Sequence, residues 1–168
     1  MNQKGMSDGE QKLLVVCHAN TARSVMTQVL LEKMLAEGDA RHPYRIRSGG
    51  IATYARDGML PSLDARLALK EIGVYLGEDD MTSTDLKRHR HLIAEADLIL
   101  TMTVQQKVML DAFAEAAGRR IVTLREFVDE EGDIDDPAGE GETAFRLCRD
   151  EILRCLEKAV PRLLGREP

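Results

Sequence analysis

Apolar residues in this chain gather into short unbroken runs, separated by stretches with helical periodicity. Leu13 to Cys17 (LLVVC) is a continuous apolar run, the pattern of a strand buried on both faces. From Ser24 to Glu37, Met26, Val29, Leu30 and Met34 recur at helical spacing, with Gly38 as a stop. Tyr44 to Gly50 alternates and then breaks at two glycines, which predicts a second strand. Leu63 to Ile72 predicts a helix ended by Gly73, and Thr84 to Ala94 another, with Ser83 or Thr84 at its cap. Asp97 to Met102 is a third buried strand, followed by a helical stretch from Val104 to Ala117, and Arg119 to Leu124 is a fourth strand. An acidic loop precedes a long amphipathic helix from Glu142 to Leu164. Its apolar stripe is Phe145, Cys148, Ile152, Cys155, Ala159 and Leu163.

Strands alternating with helices imply right-handed crossovers and a parallel sheet. The expected fold is a single doubly wound α/β domain over residues 13–166, a four-stranded parallel sheet with helices on both faces. Ligands of such sheets bind beyond the carboxyl ends of the strands, so the loop after the first strand is the first place to look for chemistry. Residues 1–12 (MNQKGMSDGEQK) are polar and are expected to form a flexible extension. They lack the apolar stretch of a signal peptide, which points to a cytoplasmic protein.

Composition narrows the function classes. Of the 168 residues, 43% are hydrophobic and 31% charged, a globular balance, and no apolar run approaches the ~20 residues of a membrane span. The net charge of −6 argues against a nucleic-acid binder. Three cysteines in such a chain are not a disulfide framework, which leaves room for one of them to be reactive.

The loop after the first strand reads Cys17-His18-Ala19-Asn20-Thr21-Ala22-Arg23-Ser24, a C-x5-R-S pattern between a strand and a helix N-terminus. Small and polar residues let such a loop curl its N–H groups inward around an anion. The helix adds its free N–H groups and the positive end of its dipole. Arg23 supplies a planar fork matched to two phosphate oxygens, and the combined positive field favours a thiolate nucleophile. Cys148 and Arg154 repeat the spacing, but inside a helix, where no loop exists; Cys148 is expected simply to pack in the core. The loop lacks the glycines and lysine of a nucleotide-binding P-loop.

At this loop the chain resembles the low-molecular-weight protein tyrosine phosphatases, whose signature is a first strand ending in V-C, five residues, then R-S. Ser48-Gly49-Gly50-Ile51 is similar to the family's S-A-G segment, and Glu95 to Met102 to its third strand. Asp133-Ile134-Asp135-Asp136-Pro137 is similar to its D-x-x-D-P element. The matches run in order from about Leu13 to Leu164. The resemblance implies catalysis by Cys17, Arg23 and Asp136, with residues 18–23 binding phosphate and Asn20, Ser24 and Ser48 supporting the loop. Asp136 would be the general acid that protonates the leaving atom. Nine carboxylates lie between Glu126 and Glu142, and their crowding is expected to raise some of their pKa values. The four histidines have no assigned chemistry. The side chain of His18 is expected to point out of the loop, and His89 and His91 to face solvent from a helix.

Three departures from the family pattern bear on function. Ala22 stands where a second, protective loop cysteine is common, and Val25 replaces the proline that often follows R-S. Ala138 replaces the aromatic residue that usually follows D-P, which removes a wall for a phenyl ring and leaves Tyr54 as a candidate wall. Thr21 occupies a position that is larger and aliphatic in tyrosine-specific relatives and threonine in the arginine phosphatase branch. Thr21, Ala138 and Tyr54 are thus the candidate specificity residues.

The function implied is phosphotyrosine hydrolysis through a phosphocysteine, with phosphoarginine hydrolysis by the same mechanism as the alternative. The expected partner is a phosphorylated protein, and the product inorganic phosphate. No metal or cofactor is expected, and no nucleic acid or membrane partner; the chain is expected to act as a monomer or weak dimer. A thioredoxin-coupled arsenate reductase would need two further cysteines on a mobile segment. Cys148 and Cys155 instead lie seven apart on a helix, ~10 Å along its axis. A non-catalytic phosphate-binding module could dispense with Cys17 and Asp136, and both are present.

Overall fold

The computed structural model describes residues 9–166. Four strands, β1 (Gln11–Cys17), β2 (Tyr44–Gly50), β3 (Leu98–Thr101) and β4 (Ile121–Thr123), form one parallel sheet in the order β2-β1-β3-β4. The helices are α1 (Arg23–Gly38), α2 (Leu63–Lys70), α3 (His91–Ala94), α4 (Val104–Leu110), α5 (Leu124–Phe127) and α6 (Glu142–Leu163), with a 3-10 turn at Ala114–Ala116. The chain is therefore the expected α/β fold. From β1 the chain crosses to β2 on one side and later returns to β3 on the other, so the topological switch falls at the carboxyl end of β1. Cys17 is the last residue of that strand.

Alternation along β1 divides the interior into two layers. Leu13, Val15 and Cys17 pack into the cluster built with Met26 and Leu30 of α1, Leu69 of α2 and Phe145, Ile152 and Leu156 of α6. Leu14 and Val16 pack on the other face with Leu86, Leu92, Ile93 and Leu110. Cys148 and Cys155, on the apolar stripe of α6, are both buried.

Two expectations need correction. Residues 1–8 of the expected extension lie outside the described residues, but Gln11 and Lys12 belong to β1, which begins two residues before the apolar run. There the backbone of β2 supplies partners that hydropathy does not register: Gln11 pairs with Tyr44 and Lys12 with Arg45. The second correction is larger. Thr84 to Ala94 is helical only over His91–Ala94. Its first half is captured by neighbouring backbone. Gly50 N–H donates to Thr84 O (2.8 Å), Leu86 N–H to Gly50 O (3.0 Å), and Asp85 N–H to the Asp57 carboxylate (2.8 Å). The fully buried Leu86 sits over Gly49, where a Cβ would lie 2.5 Å from Leu86 Cδ2; only glycine allows that approach. Ser83 caps no helix: its Oγ donates to Arg56 O (2.5 Å) and accepts from Met59 N–H (2.9 Å). His89 accordingly lies in a turn, its Nε2 2.9 Å from Asp57 Oδ2, while His91 is exposed.

Candidate active site

The loop between β1 and α1 turns on Asn20, whose φ of +62° puts it in the left-handed region that few side chains adopt. Asparagine tolerates this conformation, and here its side chain is fully engaged. Nδ2 donates to Ser24 Oγ (2.7 Å) and to Ser48 Oγ (3.0 Å), and Oδ1 accepts from Thr84 N–H (2.9 Å). Ser48 in turn donates to Gln28 Oε1 (2.6 Å), tying β2 to α1 beneath the loop. Gly50 lets the loop settle on β2: a Cβ there would stand 2.7 Å from His18 O and 2.9 Å from Ala19 C. The chain is also pinned by Ile51 N–H to Cys17 O, Ala52 N–H to His18 O (both 3.0 Å) and Ser62 N–H to Thr21 O (2.8 Å).

Cys17 Sγ sits on the floor of this loop, 3.0 Å from Ser24 Oγ, and accepts from Asn20 N–H at 3.3 Å. Both contacts stabilise negative charge on sulfur when the serine hydroxyl donates. No side chain caps α1 at Ala22, which leaves the first-turn N–H groups available to an anion. Arg23, buried at 3% exposure, donates from Nη1 to Ile134 O (2.8 Å), and its Nη2 lies 3.7 Å from Asp136 Oδ2. The segment that carries Asp136 is moored to the sheet end by Ile134 N–H to Met102 O (2.9 Å) and by Asp133 Oδ1, which accepts from Val104 N–H (2.9 Å). The Asp136 carboxylate is half-exposed and accepts from Ala138 N–H at 3.0 Å.

These groups surround a pocket of about 190 Å³ lined by Cys17, His18, Ala19, Thr21, Ala22, Arg23, Tyr54, Ser62, Asp136, Ala138 and Phe145. The sequence candidates thus come together: the thiol, the arginine fork, the carboxylate and the three specificity candidates line one cavity, with Asn20, Ser24 and Ser48 beneath it. Sequence reasoning missed Gln28, Ser62, Gln106 and Phe145. Thr103-Val104-Gln105-Gln106 has the spacing of a capping box, the one local signal that could have drawn attention to Gln106.

Two electrostatic expectations are overturned. His18 does not point away: its Nδ1 lies 2.6 Å from Gln106 Nε2 and its ring lines the pocket. Burial, then the Arg23 charge, lower its pKa, against a smaller upward pull from Asp136. The displaced carboxylates of the acidic segment move down, not up. Hydrogen bonds from Arg154 and Lys158 pull Glu130 to about 2. Arg162 lowers Asp129, and Lys107, with help from the Thr123 backbone, lowers Glu126. Burial instead pushes the Cys148 thiol up to about 12, which keeps it protonated and inert.

A parallel α/β sheet whose switch point carries a thiol inside a tight loop, faced by an arginine and a carboxylate, has the build of a small phosphatase. The family model for low molecular weight phosphotyrosine protein phosphatase matches residues 12–167, and the chain belongs to that family of hydrolases. It is 33% identical over 154 residues to a protein-arginine-phosphatase of Geobacillus stearothermophilus, covering 90% of this chain and 95% of the relative. It is 25% identical over 149 residues to the low molecular weight protein-tyrosine-phosphatase PtpB of Staphylococcus aureus, covering 88% and 95%. Among solved structures, it superposes with a TM-score of 0.80 and 28% identity on a cysteine-to-serine mutant of the arginine phosphatase YwlE whose active-site serine is phosphorylated. That match covers 92% of this chain and 96% of the other.

Proposed function

We propose that this protein is a protein phosphatase that uses Cys17 as nucleophile and Asp136 as general acid, and that it acts on phosphoarginine in preference to phosphotyrosine. The observation that carries the mechanism is the placement of Cys17 Sγ under two hydrogen-bonding partners, in the same pocket as Arg23 and Asp136. Cys17 attacks phosphorus, and the P–N or P–O bond breaks as Asp136 delivers its proton to the departing nitrogen or oxygen. Water then attacks the phosphocysteine, Asp136 takes the proton, the S–P bond breaks and inorganic phosphate leaves. Arg23 and the loop amides hold the charge that builds on the equatorial oxygens. The phosphorylated active-site serine of the YwlE mutant is in keeping with a phosphoryl group held on the loop nucleophile.

Support for phosphoarginine comes from Thr21 and Ala138, both of which line the pocket. Threonine offers a hydroxyl to guanidinium N–H groups where a larger aliphatic side chain would only fill space. Ala138 withholds a ring that would clasp a phenyl group. Relatives named as arginine phosphatases also stand at 33% and 28% identity, against 25% for the tyrosine phosphatase. Phosphotyrosine is the second reading, favoured by the Tyr54 ring at the pocket. We place the reaction on phosphorylated proteins of the cytoplasm, with the enzyme acting as a monomer or weak dimer.

The test is kcat/KM on a phosphoarginine and a phosphotyrosine peptide, with Cys17→Ser as control. A preference of about tenfold or more for phosphoarginine, ~1.4 kcal/mol in transition-state binding, is expected. The reverse preference would return the protein to the tyrosine-specific group. Turnover that survives in Cys17→Ser would overturn the mechanism itself.

A further inference from the structure

Gln106 is fully buried in the first turn of α4, and the backbone around it dictates how its amide lies. Oε1 accepts from the N–H groups of Met102 (2.9 Å) and Thr103 (3.1 Å), while Thr103 Oγ1 accepts from Gln106 N–H (3.2 Å). Turned over, the amide would set its NH2 group against two N–H donors, so one orientation alone is open to it. Nε2 is then the donor in the 2.6 Å contact to His18 Nδ1. A nitrogen that accepts carries no proton, so the ring proton of His18 resides on Nε2. Adding a proton at Nδ1 would bring two donors head to head. Burial, and then the Arg23 guanidinium, also oppose a positive charge on the ring, and Asp136 offsets them only in part.

The ring held in this way lines the pocket 6.5 Å from the Tyr54 ring, tilted by 36° to it. Ala138, on the same pocket, offers no ring. Phe145 also lines the pocket but is buried in the core, so the accessible aromatic surface that a flat leaving group meets is that of His18 and Tyr54. We propose that His18, kept in its neutral Nε2–H form by Gln106, is a specificity-determining wall of the pocket: with Tyr54 it packs against the leaving group, and it admits a cationic guanidinium that an imidazolium would repel. Gln106 is the positioning residue. The guanidinium half of this proposal rests on the phosphoarginine reading above.

The test pairs 15N NMR of the His18 imidazole in the intact protein with kcat/KM on the two peptides, for the unmodified chain and for Gln106→Glu. In the variant, one carboxylate oxygen still accepts from Met102 and Thr103, while the other faces Nδ1 as an acceptor and draws a proton onto it. The expected result is an Nε2–H imidazole titrating below the usual 6.5 in the unmodified protein. In Gln106→Glu the phosphoarginine-to-phosphotyrosine ratio is expected to fall about tenfold, recovering as pH rises past the new His18 titration. His18→Lys, which fixes a cation at the same wall, is expected to depress the same ratio and does not depend on Gln106→Glu folding. An Nδ1–H imidazole in the unmodified protein would overturn the proposal. So would a ratio that stays constant while NMR reports an imidazolium in Gln106→Glu. Absent phosphoarginine turnover in the unmodified protein would overturn the substrate reading instead, and the NMR spectrum separates the two, since it reads the His18–Gln106 bond whatever the substrate.

Discussion

Arg23 Nη2 stands 3.7 Å from Asp136 Oδ2, and Nη1 of the same guanidinium donates to Ile134 O at 2.8 Å. One buried fork therefore links the loop after β1 to the segment that carries the carboxylate, two structures 111 residues apart at the Ile134 contact. A point-charge ammonium cannot serve both partners and a phosphate in one plane. Arg23→Lys is expected to lower kcat by about 10²–10³, the range for losing a transition-state donor. It should also destabilise the fold by roughly 1–3 kcal/mol, because the buried Ile134 carbonyl loses its donor. Steady-state kinetics and denaturant melts read the two losses separately. Near-normal kcat in Arg23→Lys would remove Arg23 from the chemistry.

If Asp136 delivers the proton, its value depends on how badly the leaving atom needs one. Asp136→Asn is expected to cut kcat on a phosphoarginine or phosphotyrosine peptide by about 10²–10⁴. On an aryl phosphate whose phenolate leaves readily, the loss should be much smaller. Equal losses on both substrates would mean that Asp136 organises the pocket without transferring a proton.

Asn20 joins backbone strain to a buried hydrogen-bond set. In Asn20→Ala the Thr84 N–H loses its acceptor, the Ser24 and Ser48 hydroxyls each lose one donor, and alanine is strained at a φ of +62°. Together these should lower stability by about 2–4 kcal/mol. Asn20→Gly loses the same bonds without the strain, and should recover roughly 1 kcal/mol of that loss. Urea melts of the pair measure the difference. Equal stabilities would show that the positive φ contributes no strain to the loop.

Much of this architecture was legible along the chain, and the failures share a cause. The bounds of β2 were readable because alternation ends in Gly49-Gly50, a strictly local signal. Cys17 and Arg23 were readable because strand, loop and helix start lie together in sequence. Thr84 to Leu86 was misread as helix because its backbone is claimed by Gly50, which lies far off in sequence. The acidic segment resists a local reading for the same reason: its counter-charges come from elsewhere in the fold, Lys107 from α4 and Arg154, Lys158 and Arg162 from α6. His18 was placed in the loop, but the direction of its side chain was not legible because its partner, Gln106, is 88 residues away. Asp136 could be singled out among nine carboxylates only through the family resemblance.

Gly50 makes a sharp steric prediction. A methyl group there would press on the backbone of His18 and Ala19, at 2.7 Å and 2.9 Å, and neither can swing aside as a side-chain tip would. Gly50→Ala is expected to destabilise by roughly 1–3 kcal/mol and to lower kcat further than stability alone explains, since the displaced backbone is the loop proposed to hold the phosphoryl group. Unchanged kinetics in Gly50→Ala would show that the loop can retreat from β2 without losing its function.

Glu130 ties the acidic segment to α6. It accepts from Arg154 Nη1 (2.8 Å) and Nη2 (3.0 Å), Lys158 Nζ (2.6 Å) and Arg125 Nη1 (3.1 Å). Folding holds its pKa at about 2 against an ordinary 4.5, so between those values the unfolded chain binds the extra proton. The stabilisation is therefore complete above pH 4.5 and drains away as pH falls through about 2. Glu130→Gln should melt below the unmodified protein at pH 7, and the gap should close steadily as the pH is lowered through that window. Its effect on kcat should be smaller than that of Asp136→Asn, because Ile134 stays moored to Met102 and to Arg23. Thermal melts at a series of pH values measure the gap. A constant gap down to pH 2 would mean that the charge on Glu130 does not hold the segment in place.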